Sequence, residues 1–290
     1  MKIGIDVGGT KTEGILINDA GKELSRNRIK TEKNYDGTIS GIISIVKKFE
    51  NDFGDSKSIG VGMPGAVSSE TALVKNANSI WLNGKPFRKD LENELNRKVS
   101  LANDANCFAL SEAVDGAGKG HSVVFGVIIG TGTGGGISVN QKVLAGKNNI
   151  AGEWGHVSLP NRSDDEKKYV KQCYCGKSGC METYVSGPGF ANCFNLKHNT
   201  TYDSHSILEE FNNNEKRAIQ ALANYVDHLA RGLSLVCNIL DPDIIVLGGG
   251  MSNISYIYDR INVSLKKYIF SDTFNTKVVQ NVHGDSGGVR

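Results

Sequence analysis

The sequence predicts an α/β protein built from two similar halves. Three observations carry that expectation. The length, 290 residues, corresponds to two domains at about 150 residues each. Short apolar strands alternate with amphipathic helical patterns. The glycines, 35 of 290 against a usual ~7%, gather into tight clusters rather than spreading as they would in a flexible linker. Those clusters are Gly8-Gly9, Gly130 to Gly136, Gly248 to Gly250 and Gly284 to Gly288. Clustered glycine implies close backbone approach, or turns needing positive φ.

Residues 2 to 6 alternate as a short strand, and Thr12 to Ile17 read as a second, with a glycine turn between them. Ile39, Ile42, Ile43, Val46 and Phe49 recur at helical spacing over 36–53. Ser58 to Val61 restart a strand that runs into Gly62-Met63-Pro64-Gly65, and Leu91 and Leu95 mark a short helix. A strand at 99–101 ends on Asn103-Asp104, and Ala105 to Val114 look helical. A second unit opens with the apolar strand Val123 to Ile129, a glycine turn over 130–136, and a strand at 137–139. The form strand, glycine turn, strand thus occurs twice, which predicts an internal duplication with a boundary at residues 117/118. A long helix over about 215–240 presents Ala218, Ile219, Leu222, Val226, Leu229, Ala230, Leu233 and Cys237 on one face, and Asp241-Pro242-Asp243 stops it. Ile244 to Leu247 form a buried strand opening onto Gly248-Gly249-Gly250.

Composition excludes several classes. Thirty-three Lys and Arg against 31 Asp and Glu leave a net charge of +2, too balanced for an electrostatic nucleic-acid or membrane-surface binder. No apolar run approaches the ~18 residues of a membrane span, and Asp6 interrupts any signal-peptide core, so a cytoplasmic protein is expected. The Asn-x-Ser/Thr sites at Asn161, Asn199, Asn253 and Asn262 are then expected to stay unglycosylated. Two strings match G-x-G-x-x-G, at Gly60/Gly62/Gly65 and Gly130/Gly132/Gly135, but neither leads into a helix. Nicotinamide binding is therefore disfavoured, and no G-x-x-x-x-G-K-[ST] phosphate loop occurs.

The glycine hairpins still suit phosphates, because bare backbone N–H groups in a tight turn form an anion nest. Asp6 would repel a phosphate unless a divalent cation lay between them, so an acid beside such a turn suggests Mg²⁺-nucleotide. The plainer alternative is two ordinary hairpins with a capping Asp. Asp104, between a strand and a helix, is placed either as a general base facing a cleft or as a helix N-cap. Cys173, Cys175 and Cys180 form Cys-x-Cys-x₄-Cys, with His156 lying 17 residues upstream. That set fits a closed Cys₃His zinc site, the alternative being inert loop thiols, whereas Cys107, Cys193 and Cys237 read as buried core residues.

Four strings together resemble one family: Asp6-Val7-Gly8-Gly9-Thr10-Lys11, Leu101-Ala102-Asn103-Asp104-Ala105-Asn106, Gly152-Glu153-Trp154-Gly155-His156, and Cys173-Tyr174-Cys175-Gly176-Lys177-Ser178-Gly179-Cys180-Met181-Glu182. In this order they resemble the ROK (repressor, open reading frame, kinase) family of sugar kinases over residues 4–290. The resemblance implies the duplicated actin-like ATPase (ribonuclease H-like) fold, with ATP in an interdomain cleft and the sugar deeper. It implies that Gly4, Ile5, Asp6, Val7, Gly8, Gly9, Thr10 and Lys11 embrace the ATP phosphates together with Gly132, Thr133, Gly134, Gly135, Gly136, Ile137, Ser138 and Val139. Gly249 and Gly250 would lie near adenosine. It further implies Asp104 as the base, with Asn78, Asn103, Asp104, Glu153, His156 and Glu182 on the sugar, and zinc on His156, Cys173, Cys175 and Cys180.

Val74 to Gly84 and Ser111 to Gly116 resemble the bacterial fructokinase, or manno(fructo)kinase, branch of that family. The expectation is therefore ATP-dependent phosphorylation of fructose, with Trp81 as a bulky element near the cleft. N-acetylglucosamine kinase is the alternative, along with glucokinase and mannokinase; a homodimer is compatible with the resemblance. A sugar-responsive repressor of the family would carry a helix-turn-helix ahead of a hairpin that here starts at residue 4, so it is the weaker reading. The family usually continues beyond the position of Arg290 into an Ala-rich helix packing on the small domain.

Overall fold

The computed structural model describes residues 1–284 and 288–290, so residues 285–287 of the last glycine cluster lie outside the described residues. Two compact units share the chain. The first holds Met1–Ser111, Val143–Ala151 and Ser286–Arg290; the second holds Glu112–Lys142 and Gly152–Asp285. The division thus falls within a helix instead of at the Gly116-Ala117-Gly118 turn. Its physical reason is Glu112, a fully buried carboxylate that accepts the N–H groups of Ala117 (2.8 Å), Val282 (3.3 Å) and His283 (3.4 Å), all in the second unit.

In the first unit, β1 (Lys2–Val7) and β2 (Lys11–Ile17) form the expected hairpin, followed by β3 (Glu23–Lys30) and α1 (Tyr35–Phe53). Then come β4 (Ser58–Met63), the small ribbon β5 (Ala66–Val67) and β6 (Val74–Lys75), α2 (Phe87–Leu95), β7 (Ser100–Asn103) and α3 (Asp104–Val114). The sheet order is β3-β2-β1-β4-β7, with β1, β4 and β7 parallel. The Asn34 side chain caps α1 by accepting from Gly37 N, and Ile39, Ile42, Ile45, Val46 and Phe49 bury its inner face. Ile45 takes the buried place expected of Ile43, which stays half-buried. The charged edge strand β3 has no apolar run, so only tertiary pairing reveals it.

In the second unit, β8 (Val123–Ile129), β9 (Thr133–Val139) and β10 (Lys142–Val143) precede α4 (Asp164–Lys168), α5 (Glu182–Val185), α6 (Gly187–His198) and α7 (Ser204–Asn212). The long α8 (Lys216–Leu240), β11 (Ile244–Gly248), α9 (Ser255–Leu265) and β12 (Lys277–Gln280) complete it. Its sheet runs β10-β9-β8-β11-β12, repeating the first sheet's plan of an antiparallel hairpin beside two parallel strands. The duplication expected from the glycine hairpins is thus a property of the whole sheet. α8 ends where expected, on Asp241 in the left-handed region, but Ile219, expected on its buried face, is exposed beside buried Ala218.

One expectation is corrected. Gly134, Gly135 and Gly136 lie within β9, not in the turn, which is confined to residues 130–132 and closed by Gly130 N–H donating to Gly132 O at 2.9 Å. Gly135 has a packing reason, since a Cβ there would press on Trp154 and come within 2.7 Å of the Gly152 carbonyl.

Candidate functional site

The residues of interest collect at the carboxyl ends of parallel strands in each unit, where open α/β sheets bind ligands. In the first unit, strand alternation sends Ile3, Ile5 and Val7 into the core and turns Asp6 to the opposite face. Asp6 stands across from Glu13 on β2. Burial, then the Glu13 charge, pushes the Asp6 carboxyl up to about 6, with Lys11 opposing. Glu13 is itself 1% exposed and paired with both Arg26 and Arg28.

The turn after β1 is braced from β3's far end. Gly8 N–H donates to Lys11 O at 2.9 Å, the Thr31 hydroxyl donates to Gly8 O at 2.8 Å, and Thr31 N–H donates to Thr10 O at 3.0 Å. Gly9 and Thr10 remain exposed at its tip, while Ile5 and Val7 are core and Gly4 meets the carbonyl of Val289. A Cβ at Gly8 would come within 2.9 Å of the Lys11 carbonyl, so this turn requires glycine there.

Asp6 pairs in register with Gly62, and the neighbouring Met63 pairs with Asn103, so Asp6 and Asn103 end strands roughly 10 Å apart, two strand spacings. Asn103, not Asp104, caps α3: its Oδ1 accepts from Ala105 N at 3.0 Å and Asn106 N at 3.2 Å. Its Nδ2 donates to Gly65 O at 3.0 Å, which leaves the amide's second N–H for a ligand. Asp104 is half-buried at the first helical position and accepts from Ala105 N at 2.8 Å. Cys107, one turn on, has its thiol pushed up to about 12 by burial and then by Asp104 and Asp6. Asn78 is exposed between buried Ala77 and Ser79, on a loop that Asn83 clamps through both backbone groups of Ala77 at 2.9 Å. Trp81 on the same loop faces the core, its indole donating to the Thr38 hydroxyl of α1 at 3.0 Å.

In the second unit, Gly132 lies at the turn, with Thr133 to Val139 in β9; Gly135, Gly136 and Ser138 are buried. Gly249, at φ +84, follows β11, and a Cβ there would strike the Ile129 carbonyl at 2.7 Å; Gly250 begins a 3₁₀ turn. Trp154 anchors the segment 152–156 on β9, donating to Gly134 O at 3.0 Å. Glu153 beside it is half-buried, and burial raises its carboxyl, His156 lowering and Glu182 raising it further. Glu182, the first residue of α5, accepts the Thr133 N–H at 3.2 Å, so this carboxylate touches the glycine hairpin.

One cluster is directly visible. The ligand atoms of His156, Cys173, Cys175 and Cys180 all lie within 4.8 Å of one another. Cys173 Sγ is 3.6 Å from His156 Nδ1, and Cys175 Sγ is 3.6 Å from Cys180 Sγ. These separations match the ~3.8 Å edge of a tetrahedron with ~2.3 Å zinc–sulfur bonds. They are far too long for a ~2.05 Å disulfide. Three thiols and an imidazole are a donor set that fits zinc. Sequence reasoning missed Tyr174, whose hydroxyl lies 3.0 Å from His156 Nε2, because nothing local distinguishes it from a loop residue. It also missed Thr31 and Glu13, which act through long-range pairing.

A cavity of about 270 Å³ elsewhere in the second unit, between Tyr184, Phe190, Phe194 and Tyr225, includes none of these residues. Beside it, hydrogen bonds from His228 and Arg231 outweigh burial and hold the Glu166 carboxyl well below its ordinary range.

The repeated sheet with a glycine hairpin in each copy defines the actin-like ATPase fold. Residues 2–290 match the model of the ROK family, and the chain belongs to that family. It is 37% identical over 296 residues to the N-acetyl-D-glucosamine kinase of Vibrio atlanticus (strain LGP32), spanning 100% of this chain and 97% of that protein. Among solved structures it resembles the ROK hexokinase of Thermus thermophilus, with a TM-score of 0.87 and 25% identity over 99% of this chain and 94% of that one. The ROK glucokinase of Streptomyces griseus, solved with glucose and AMPPNP, gives a TM-score of 0.83 and 26% identity, over 99% and 96% of the two chains. The fructokinase branch expected from residues 74–84 gains no support from these relatives, and Trp81, turned to the core, loses its argued role.

Proposed function

We propose that the protein is an ATP-dependent sugar kinase that phosphorylates N-acetyl-D-glucosamine at its 6-hydroxyl. The observation that carries the chemistry is Asp104 at the carboxyl edge of the parallel strands, with the capping duty taken by Asn103. The sugar oxygen bonds to the γ-phosphorus as the bond to the β,γ-bridging oxygen breaks; the hydroxyl proton passes to Asp104 and ADP leaves. With the Gly8 and Gly130 N–H groups closing their own turns, the N–H groups of Gly9 and Thr10 and of Thr131 and Gly132 at the turn tips are the ones offered to phosphates. Mg²⁺, when bound, neutralises phosphate charge, and Asp6 is the hard oxygen donor suited to hold it through water. Asn78, Asn103, Glu153, His156 and Glu182 orient the sugar. Zinc on His156, Cys173, Cys175 and Cys180 holds the segments bearing Glu182 and His156 and takes no part in the chemistry. A cytoplasmic setting agrees with six free thiols, and among the described residues no helix is long and apolar enough to cross a membrane.

N-acetylglucosamine takes precedence over fructose because the full-length relative at 37% identity is a kinase of that sugar. Steady-state kinetics over N-acetylglucosamine, glucose, mannose and fructose at saturating Mg-ATP test it. The expected result is the highest kcat/KM for N-acetylglucosamine. A higher value for fructose returns the chain to the fructokinase reading, and turnover of none of the four overturns the kinase.

A further inference from the structure

Tyr174 is flanked in sequence by two thiols of the cluster, yet its side chain stands outside it. The residue is 63% exposed, and among the described residues its hydroxyl makes one hydrogen bond, with His156 Nε2 at 3.0 Å. The two rings meet edge to face, with centroids 5.2 Å apart at 87°. His156 turns Nδ1 toward the thiols, so Nε2 is the nitrogen left for a substrate. With Nδ1 given to the metal cluster, Nε2 carries the ring's one proton and can serve one acceptor at a time. The phenol therefore occupies the place a sugar hydroxyl must take. A phenolic hydroxyl and a sugar hydroxyl offer the same donor and acceptor functions, so the exchange is chemically even.

We propose that Tyr174 is a displaceable stand-in for the sugar: it holds His156 Nε2 while the site is open and swings out when a sugar hydroxyl takes that nitrogen. This rests on the reading of His156 as a sugar ligand. The high exposure of Tyr174 means that little burial opposes the swing, and the barrier to displacement is one neutral hydrogen bond and a ring edge. The phenol keeps the imidazole oriented between turnovers, at a modest loss of sugar affinity. A sugar without a hydroxyl at that place leaves Tyr174 seated.

The test is Tyr174→Phe in the zinc-loaded full chain, which keeps the ring and removes the competitor. Calorimetry should show N-acetylglucosamine binding about two- to ten-fold tighter than to the wild type, the value of one net hydrogen bond, with KM falling in step. Unchanged or weaker binding overturns the stand-in and leaves the kinase reading intact, because the phenol would then be neutral or a sugar contact. Loss of zinc from Tyr174→Phe also overturns it, by making the phenol part of the metal clip. If neither protein binds N-acetylglucosamine, glucose or mannose, both this assignment and the kinase reading fall.

Discussion

The two sheets share a strand plan but differ at matching points. Asp6, next to last in β1, faces Glu13 across the first hairpin; Ile128, next to last in β8, faces Gly134 across the second. The first unit's last parallel strand, β7, ends on Asn103 before Asp104, whereas its counterpart β12 ends on Gln280 before Asn281. Both copies keep the backbone turn that can cradle phosphate, and only the first keeps the acids. In the second unit, Glu153 lies on the loop 152–156 and Glu182 opens α5, and Trp154 and Met181 tie these segments to the apolar core beside the cluster of His156, Cys173, Cys175 and Cys180. Duplication of a fold repeats what the backbone does; proton transfer and metal binding need side chains that each copy supplies separately.

The largest effect that would sharpen this contrast is loss of Asp104, the base proposed for the first unit. Asp104→Asn should lower kcat by about 10²–10⁴ while ATP and sugar still bind, since the amide is nearly isosteric but accepts no proton. Retention of more than about a tenth of kcat would reduce Asp104 to a helix-end residue and erase the asymmetry.

The second unit should fail differently. Chelation of the metal, or Cys175→Ser, is expected to raise the sugar KM about ten-fold or more with a smaller change for ATP, the usual size of a metal-site lesion. Metal analysis of protein purified without added zinc should give near one zinc per chain; a metal-free protein with full activity ends the argument.

A smaller effect concerns pH. The folded-state carboxyl of Asp6 is raised from 3.8 to about 6, so between those values the folded chain binds the proton more tightly and stability falls as pH rises. Above pH 6 the penalty reaches at most about 3 kcal/mol. Without Mg²⁺, Asp6→Asn should therefore melt at a higher temperature than wild type at pH 8 and equally at pH 4; equal midpoints at both would show that Asp6 carries no buried charge. The smallest effect is that of Trp81→Phe. It should cost about 1–2 kcal/mol of stability through the lost bond to Thr38 and leave sugar preference unchanged. A changed preference would restore Trp81 to the site.

Much of this was legible because it is local. The hairpin at residues 2–17, the helix over 215–240 and the Cys-x-Cys-x₄-Cys spacing depend on neighbours a few positions away, where side-chain alternation, helical period and chain reach determine the outcome. The sequence by itself therefore determined two glycine hairpins, an acid beside the first, an Asn-Asp pair at a strand end and a cluster of three thiols and an imidazole with a donor set that fits a metal. Only the tertiary structure decided that Gly134 to Gly136 belong to a strand that Trp154 packs upon, since that requires two segments nearly twenty residues apart to meet. It also decided that β3 is a strand at all, that Asn103 caps the helix, and that Tyr174 closes on His156. Each of these is settled by which backbone groups and ring nitrogens remain to be satisfied once the sheets have formed, and hydrogen-bond demand of that kind has no period in the sequence.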